Sequence, residues 1–297
     1  MSTGKKAESV RRRLRRRLTE GPIVIAPGIY DAYGARFVEQ AGFEAVYMTG
    51  NGVSASLLGQ PDVGLVDLTL ITGHAHRVAA CVDIPLICDA DTGYGNAVNV
   101  RHTVREFEAA GVAAIHLEDQ VLPKRCGQLP GARPVVDIGE AVGKIEAAAA
   151  ARRDPDFVII ARTDAAAGHG LDEAIRRGKA FVAAGADVVF AELKMSPSIL
   201  EDIRRVTGEV GAPCLANIAG GKLAALDAHG LEALGLRIAI YPGLGRNAAG
   251  YALREAMRTL KRDGNVQALK ERMLSGEEYA ATIGLADVEA WEKKYLK

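Results

Sequence analysis

From Pro22 onward the chain repeats one beat eight times: a short apolar run, a polar loop, then an amphipathic stretch with helical spacing. The runs read as strands over residues 23–26, 45–49, 86–89, 113–118, 157–162, 188–192, 214–217 and 238–241, and they are almost wholly apolar, as buried strands are. Helical segments fall between them at 33–41, 68–80, 98–110, 139–150, 171–184, 199–210 and 222–234. Several end on a glycine (Gly42, Gly111, Gly185, Gly235), where a helix C-terminus needs a left-handed residue. This order predicts an α/β fold of the (β/α)8 TIM-barrel type. A doubly wound open sheet is the alternative, but no Gly-x-Gly-x-x-Gly turn follows the first strand.

Three regions follow. Residues 1–20 hold Arg11–Arg13 and Arg15–Arg17, with Val10, Leu14 and Leu18 at helical spacing, a basic helix with one narrow apolar edge. Residues 21–245 form the barrel. Residues 246–297, broken at Gly264 and Gly276, are a helical extension of the same domain, expected to pack outside the barrel or on a neighbouring subunit. Lys plus Arg and Asp plus Glu each number 37, so no global field favours nucleic acid or an anionic membrane. With Glu8 present and the whole chain neutral, the basic helix is expected across the barrel or a partner. No run approaches the roughly 20 apolar residues of a membrane span. Cys81, Cys88, Cys126 and Cys214 fit no disulfide or metal spacing, which suits a reducing cytoplasm.

The polar residues are one-sided. In barrels of this class the site gathers at the C-terminal ends of the strands. There the sequence places Tyr47, Thr49, Gly50 and Asn51, then Asp89 and Asp91, then His116, Glu118 and Asp119. Arg162 and Asp164 follow strand five, and Glu192, Asn217 and Tyr241 end strands six to eight. Asp89 and Asp91, two residues apart with no cation in their own segment, suit a hard cation held by oxygen, Mg²⁺ or Mn²⁺. Several carboxylates, one Arg and small-residue loops suit a metal-bound, oxygen-rich anionic small molecule. After strand four, Lys124 and Arg125 immediately precede Cys126, and neighbouring cations stabilise a thiolate. Gly127 gives the loop backbone freedom, so the segment reads as an exposed flap able to close over the site.

The motifs Tyr47–Gly52 (YMTGNG), Leu58–Gly64 (LGQPDVG), Asp89–Gly95 (DADTGYG), His116–Gln120 (HLEDQ), Lys124–Gly127 (KRCG), Ala161–Ala165 (ARTDA) and Leu215–Asn217 (LAN) occur in one order. Together they resemble the isocitrate lyase/phosphoenolpyruvate mutase superfamily, above all its short 2-methylisocitrate lyases and carboxyphosphonoenolpyruvate phosphonomutases. The resemblance spans nearly the whole chain from Gly21. It implies a barrel whose last helix is exchanged with a partner, usually in a homotetramer built as a dimer of dimers, and a required Mg²⁺. It implies that Asp89 and Asp91 hold the metal, with Glu118 and Asp62 nearby. Thr49, Gly50, Asn51, Lys124, Arg125, Gly127, Glu192 and Asn217 would surround the substrate, and Arg162 would pair with a carboxylate in bidentate fashion. Cys126 stands at the catalytic acid, and Tyr47 is a base or relay.

The implied chemistry is a retro-aldol cleavage of a 2-hydroxy di- or tricarboxylate into an α-keto acid and a second carboxylic acid. Two departures fall at the mouth. Gln128 replaces the family's histidine, and Ile218-Ala219-Gly220-Gly221 lacks the carboxylate the lyases carry after the asparagine. Both bear on the substrate more than on the reaction type. The alternatives are a phosphonomutase acting on a P–C bond, which the Thr49–Ser56 loop also resembles, an oxaloacetate hydrolase or decarboxylase, and a non-catalytic dicarboxylate-binding barrel.

Overall fold

Parallel strands joined by helices are covered on both faces, which is why they run apolar throughout. In the computed structural model, which describes residues 3–296, these strands close into one eight-stranded parallel barrel in sequence order. They are β1 (Val24–Ile29), β2 (Val46–Met48), β3 (Leu86–Asp89), β4 (Ala114–Glu118), β5 (Val158–Thr163), β6 (Val188–Ala191), β7 (Cys214–Asn217) and β8 (Leu236–Tyr241). The predicted boundaries shift by a few residues at most. The parity of each strand decides its chemistry, because alternate residues face opposite sides. Ile87, Ala114, Val158, Ile160, Val188, Phe190, Leu215, Ile238 and Ile240 pack inside the barrel, while Leu86, Cys88, Ile115 and Ile159 pack outward against helices.

The floor is closed by the helix Thr3–Arg17. Its edge of Val10, Leu14 and Leu18 is buried, and Leu14 and Leu18 join the barrel's inner core. Arg11, 5% exposed, donates to Val112 O at 2.8 Å, to Glu108 O and to Asp154 Oδ2 at 3.1 Å. Arg237 returns from β8 to the carbonyls of Arg17, Leu18, Glu20 and Gly21. The basic run thus caps carbonyls at the strand N-termini. Met1 and Ser2 of the predicted basic segment, and Lys297, lie outside the described residues.

Two helical expectations change. The segment after β2, read as a loop, is a helix, Gly50–Leu58, nucleated because the Thr49 side chain caps the Gly52 N–H. The predicted helix at 222–234 is two short ones, Gly221–Ala224 and Ala228–Glu232, the second capped by Asp227, whose side chain accepts from Gly230 N–H. The extension comprises Leu244–Asp263, a 3₁₀ turn Gln267–Arg272, and the helices Gly276–Ile283 and Leu285–Tyr295. Gly264 (φ 67) and Gly284 (φ 74) supply its left-handed breaks, and Leu285–Tyr295 buries no residue. Among the described residues no helix is long and apolar enough to cross a membrane.

Candidate active site

The inward parity of the strands continues to their C-terminal ends, and this converges the polar set. Tyr47, Asp89, His116, Glu118, Arg162 and Asn217 share the face of the apolar interior residues two and four positions earlier. Register then makes neighbours: Asp89 pairs with His116, and Glu118 with Arg162. Arg162 Nη1 lies 3.1 Å from Glu118 Oε2, and its Nη2 lies 3.0 Å from Asp164 Oδ1 and 3.8 Å from Glu192 Oε2. Asn217 Nδ2 donates to Glu192 Oε2 at 3.2 Å.

Asp89 sits at the centre. It accepts from the Gly50 N–H at 3.3 Å and the Asp91 N–H at 3.0 Å, and its Oδ1 lies 3.7 Å from His116 Nε2. Only glycine fits at position 50, since a Cβ there would stand 2.8 Å from Asp89 Oδ2. Burial alone would raise the Asp89 pKa, but nearby His116, Lys124 and Arg162 outweigh it and hold the carboxyl below its usual range. His116 is pushed down to about 4 by its own burial, so at neutral pH it carries no charge and the two cations keep Asp89 ionised. Burial sends the other two acids the opposite way, Asp91 up to about 7 and Glu118 up to about 8. Asp89 is thus held ionised beside two acids whose affinity for the proton burial raises when no further cation is present. Asp91 also holds a left-handed backbone (φ 54), a strained position for a non-glycine residue, and such strain concentrates at functional sites.

Tyr47, 3% exposed, shares a 2.8 Å hydrogen bond with His116 Nε2. Burial, reinforced by Asp89, pushes its phenol well above the usual range. In that setting the phenol favours keeping its proton.

The segment after β4 corrects the reading of the thiol. The flap is folded down and Cys126 is buried, 6% exposed, not exposed as expected. Lys124 does not serve the sulfur: its Nζ lies 2.9 Å from Asp62 Oδ1 and also contacts Asp91. The acid pair that had no cation in its own segment receives one from this flap. Four carboxylates raise Lys124 well above its usual range despite burial. Arg125 points away and donates to Pro130 O at 2.9 Å, outside the cluster. What reaches the sulfur is the Asn51 side-chain amide at 3.7 Å and the Gln128 N–H at 3.5 Å. Asn51 is therefore gathered with Cys126, while Thr49, 3% exposed, turns its hydroxyl to the helix cap. Gly127 stays with the flap, its carbonyl 3.4 Å from Lys194 Nζ.

Sequence position sets His116 and Asp164 at the mouth without giving them a role, and it passes over Arg133. The inward direction of His116 follows from strand parity. The partners of Asp164 and Arg133 depend on how the loops fold back. Asp119 turns to the second layer, where it accepts from Thr163 Oγ1 at 2.7 Å and Arg177 at 2.9 Å. Tyr241 is half-buried and ends β8 without joining the cluster.

Among the described residues no group of three or more His, Cys, Asp or Glu side chains is arranged to hold a metal ion by itself. Mg²⁺ does not require one, since it binds through one or two carboxylates and keeps waters or substrate oxygens. Glu118 Oε1 is buried without a partner, as are Asn217 Oδ1 and Arg162 Nε, a set of unanswered polar atoms that suits a bound metal and anion.

Known proteins resemble this chain in sequence and fold. A family model described as phosphoenolpyruvate phosphomutase matches residues 14–261. The chain is 44% identical over 284 residues to the 2,3-dimethylmalate lyase of Eubacterium barkeri, covering 95% of this chain and 97% of that one. It is 40% identical over 262 residues to a 2-methylisocitrate lyase of Shewanella oneidensis, covering 88% of each. The solved structure of phosphonopyruvate hydrolase in complex with oxalate and Mg²⁺ superposes with a TM-score of 0.88 at 34% identity over 100% of both chains. By family model, identity and fold together, the chain belongs to the phosphoenolpyruvate phosphomutase family, within the isocitrate lyase/phosphoenolpyruvate mutase superfamily.

Proposed function

We propose that the chain is a Mg²⁺-dependent carbon–carbon lyase that cleaves a substituted malate, a 2-hydroxy dicarboxylate, into an α-keto acid and a second carboxylic acid. The observation that carries this reading is Cys126, a buried thiol within reach of the Asn51 amide beside a mouth that gathers the buried Asp89 carboxylate and the Arg162 guanidinium. Asp89 would hold the metal, with Asp91 and Glu118 beside it, replacing the protons that burial favours on these two. When bound, the ion withdraws electron density from the oxygens of the substrate's hydroxy-acid end. Arg162 pairs with a carboxylate through its two-nitrogen fork and fixes the direction of the breaking bond. Tyr47, backed by His116, donates a hydrogen bond where oxygen charge develops. As the Cα–Cβ bond breaks, the substrate hydroxyl gives its proton to a base or water in the mouth and becomes the keto oxygen, the bonding pair stays on the second fragment, and Cys126 delivers a proton to that carbanionic fragment. With the flap down, bulk water is kept from that fragment.

The β7 loop and position 128 favour a substituted malate within that class. Ile218, Ala219, Gly220 and Gly221 offer no charge to a third carboxylate, and Gln128 offers only neutral hydrogen bonds. Small alkyl substituents are better matched than a tricarboxylate. The fold also fits the proposed helix-exchanged homotetramer, because Trp291 and Tyr295 on the last helix are 58% and 66% exposed.

The test is incubation with Mg²⁺ and 2,3-dimethylmalate, 2-methylisocitrate, isocitrate, oxaloacetate or phosphonopyruvate, with α-keto acid release followed by NMR. A substituted malate is expected to turn over fastest. Cys126→Ser should lower that rate by about 10²–10⁴, the usual contribution of a positioned acid. Turnover of phosphonopyruvate alone, unaffected by Cys126→Ser, would establish P–C chemistry instead.

A further inference from the structure

The flap is tied down at a point the cleavage chemistry does not require. Its neck is backbone: Val121 N–H donates to Pro134 O at 3.0 Å and Val136 N–H to Asp119 O at 2.9 Å, on either side of an antiparallel bridge between Gln120 and Val135. A loop with a closed neck and packed interior moves as a unit. Arg133 lies just inside that neck and is 8% exposed. Its Nη1 lies 2.8 Å from Asp164 Oδ1. The same nitrogen sits under the flap's tip, since a Cβ on Gly127 would stand 3.2 Å from it. Gly127 directly follows Cys126, so the Arg133 guanidinium supports the turn that presents the thiol.

Asp164 is fully buried and shared. Its Oδ1 meets Arg133 from the flap and Arg162 Nη2, at 3.0 Å, from β5. Its Oδ2 accepts from Gln120 Nε2 at 3.2 Å, and Gln120 Oε1 in turn accepts the Arg125 N–H at 3.0 Å. Both oxygens of one carboxylate thus reach the flap, while one of them also orients the arginine beside Glu118. With the flap open, Arg133 would be withdrawn and Arg162 Nη2 would be the remaining partner of that oxygen.

We infer that Arg133 is a positioning residue, a latch that fixes the Cys126 turn to the carboxylate orienting Arg162, so that the thiol and the guanidinium fork reach their working places together. Its consequence for turnover rests on the reading of Cys126 as the proton donor; the latch itself does not.

The experiment compares Arg133→Gln and Arg133→Lys with the unaltered protein, all loaded with Mg²⁺, by the rate at which iodoacetamide labels Cys126, read by peptide mass spectrometry. Loss of the latch raises the open population, so labelling of Cys126 should rise about tenfold in Arg133→Gln. It should rise about threefold in Arg133→Lys, whose single ammonium cannot replace the planar fork. Labelling of buried Cys88 and Cys214 should not change, and kcat on the cleaved substrate should fall more than KM rises. Cys126 labelling at the unaltered rate in both variants would overturn the latch, as would equal acceleration at Cys88, which reports general loosening. Should Arg133→Gln fail to fold, Arg133→Lys decides alone. Faster labelling in a protein that cleaves no carbon acid would sink the lyase reading and keep the latch.

Discussion

The two ends of this barrel both bury charge, and they use it in opposite ways. On the floor, Arg11, Arg15, Arg152 and Arg237 direct their guanidinium groups at backbone carbonyls and at Asp154 and Asp187. Although Arg15 Nε and Arg17 Nε make no hydrogen bond, among the described residues the buried acid oxygens there are all hydrogen-bonded. At the mouth the acids outnumber the cations that serve them. Glu118 keeps an unpartnered oxygen, burial raises Asp91 to about 7 and Glu118 to about 8, and Lys124 is shared between Asp62 and Asp91. Floor charge is satisfied by the chain itself. Mouth charge is satisfied only when a ligand arrives. Stability and activity should therefore separate by end.

The largest separation is expected from Asp89→Asn. It removes the carboxylate that its neighbours hold below the usual range, so kcat should fall at least about 10³-fold in the NMR assay, comparable to losing a principal electrostatic stabiliser. The melting temperature without Mg²⁺ should stay within a few degrees, and its rise on adding Mg²⁺ should vanish. A substantial loss of metal-free stability would erase the distinction between the ends.

Arg11→Ala should do the reverse. It strands Asp154 and two carbonyls beneath the barrel, a loss of about 3 kcal/mol in denaturant unfolding. The kcat of the folded fraction should be unchanged, and a fall in kcat would couple floor to mouth.

The smallest effect concerns pH. The folded pKa values of Glu118 and Asp91, about 8 and about 7, exceed their ordinary values. The stability these groups contribute is full below those ordinary values and is lost as pH rises through the folded ones. His116, lowered to about 4, works oppositely, its contribution present above its ordinary value and lost as pH falls toward 4. Without Mg²⁺ the melting temperature should therefore drop by a few degrees between pH 6 and pH 9. Saturating Mg²⁺ should flatten that slope, because the cation takes the place of the protons. An unchanged slope would mean that the metal does not sit among these acids.

Much of this was legible in the residues. The eight-beat rhythm determined the barrel, and strand parity placed Tyr47, Asp89, His116, Glu118, Arg162 and Asn217 on one inward face, because alternation is a local property of extended chain. The apolar edge of Val10, Leu14 and Leu18 likewise announced a helix lying on something apolar. The tertiary structure decided how the segment after β4 folds back. Lys124 and Arg125 adjoin Cys126 in sequence, yet one enters the acid cluster and the other turns to Pro130, while the distant Asn51 reaches the sulfur. Loop conformation depends on partners far along the chain, such as Asp164 for Arg133, and no local periodicity encodes those meetings.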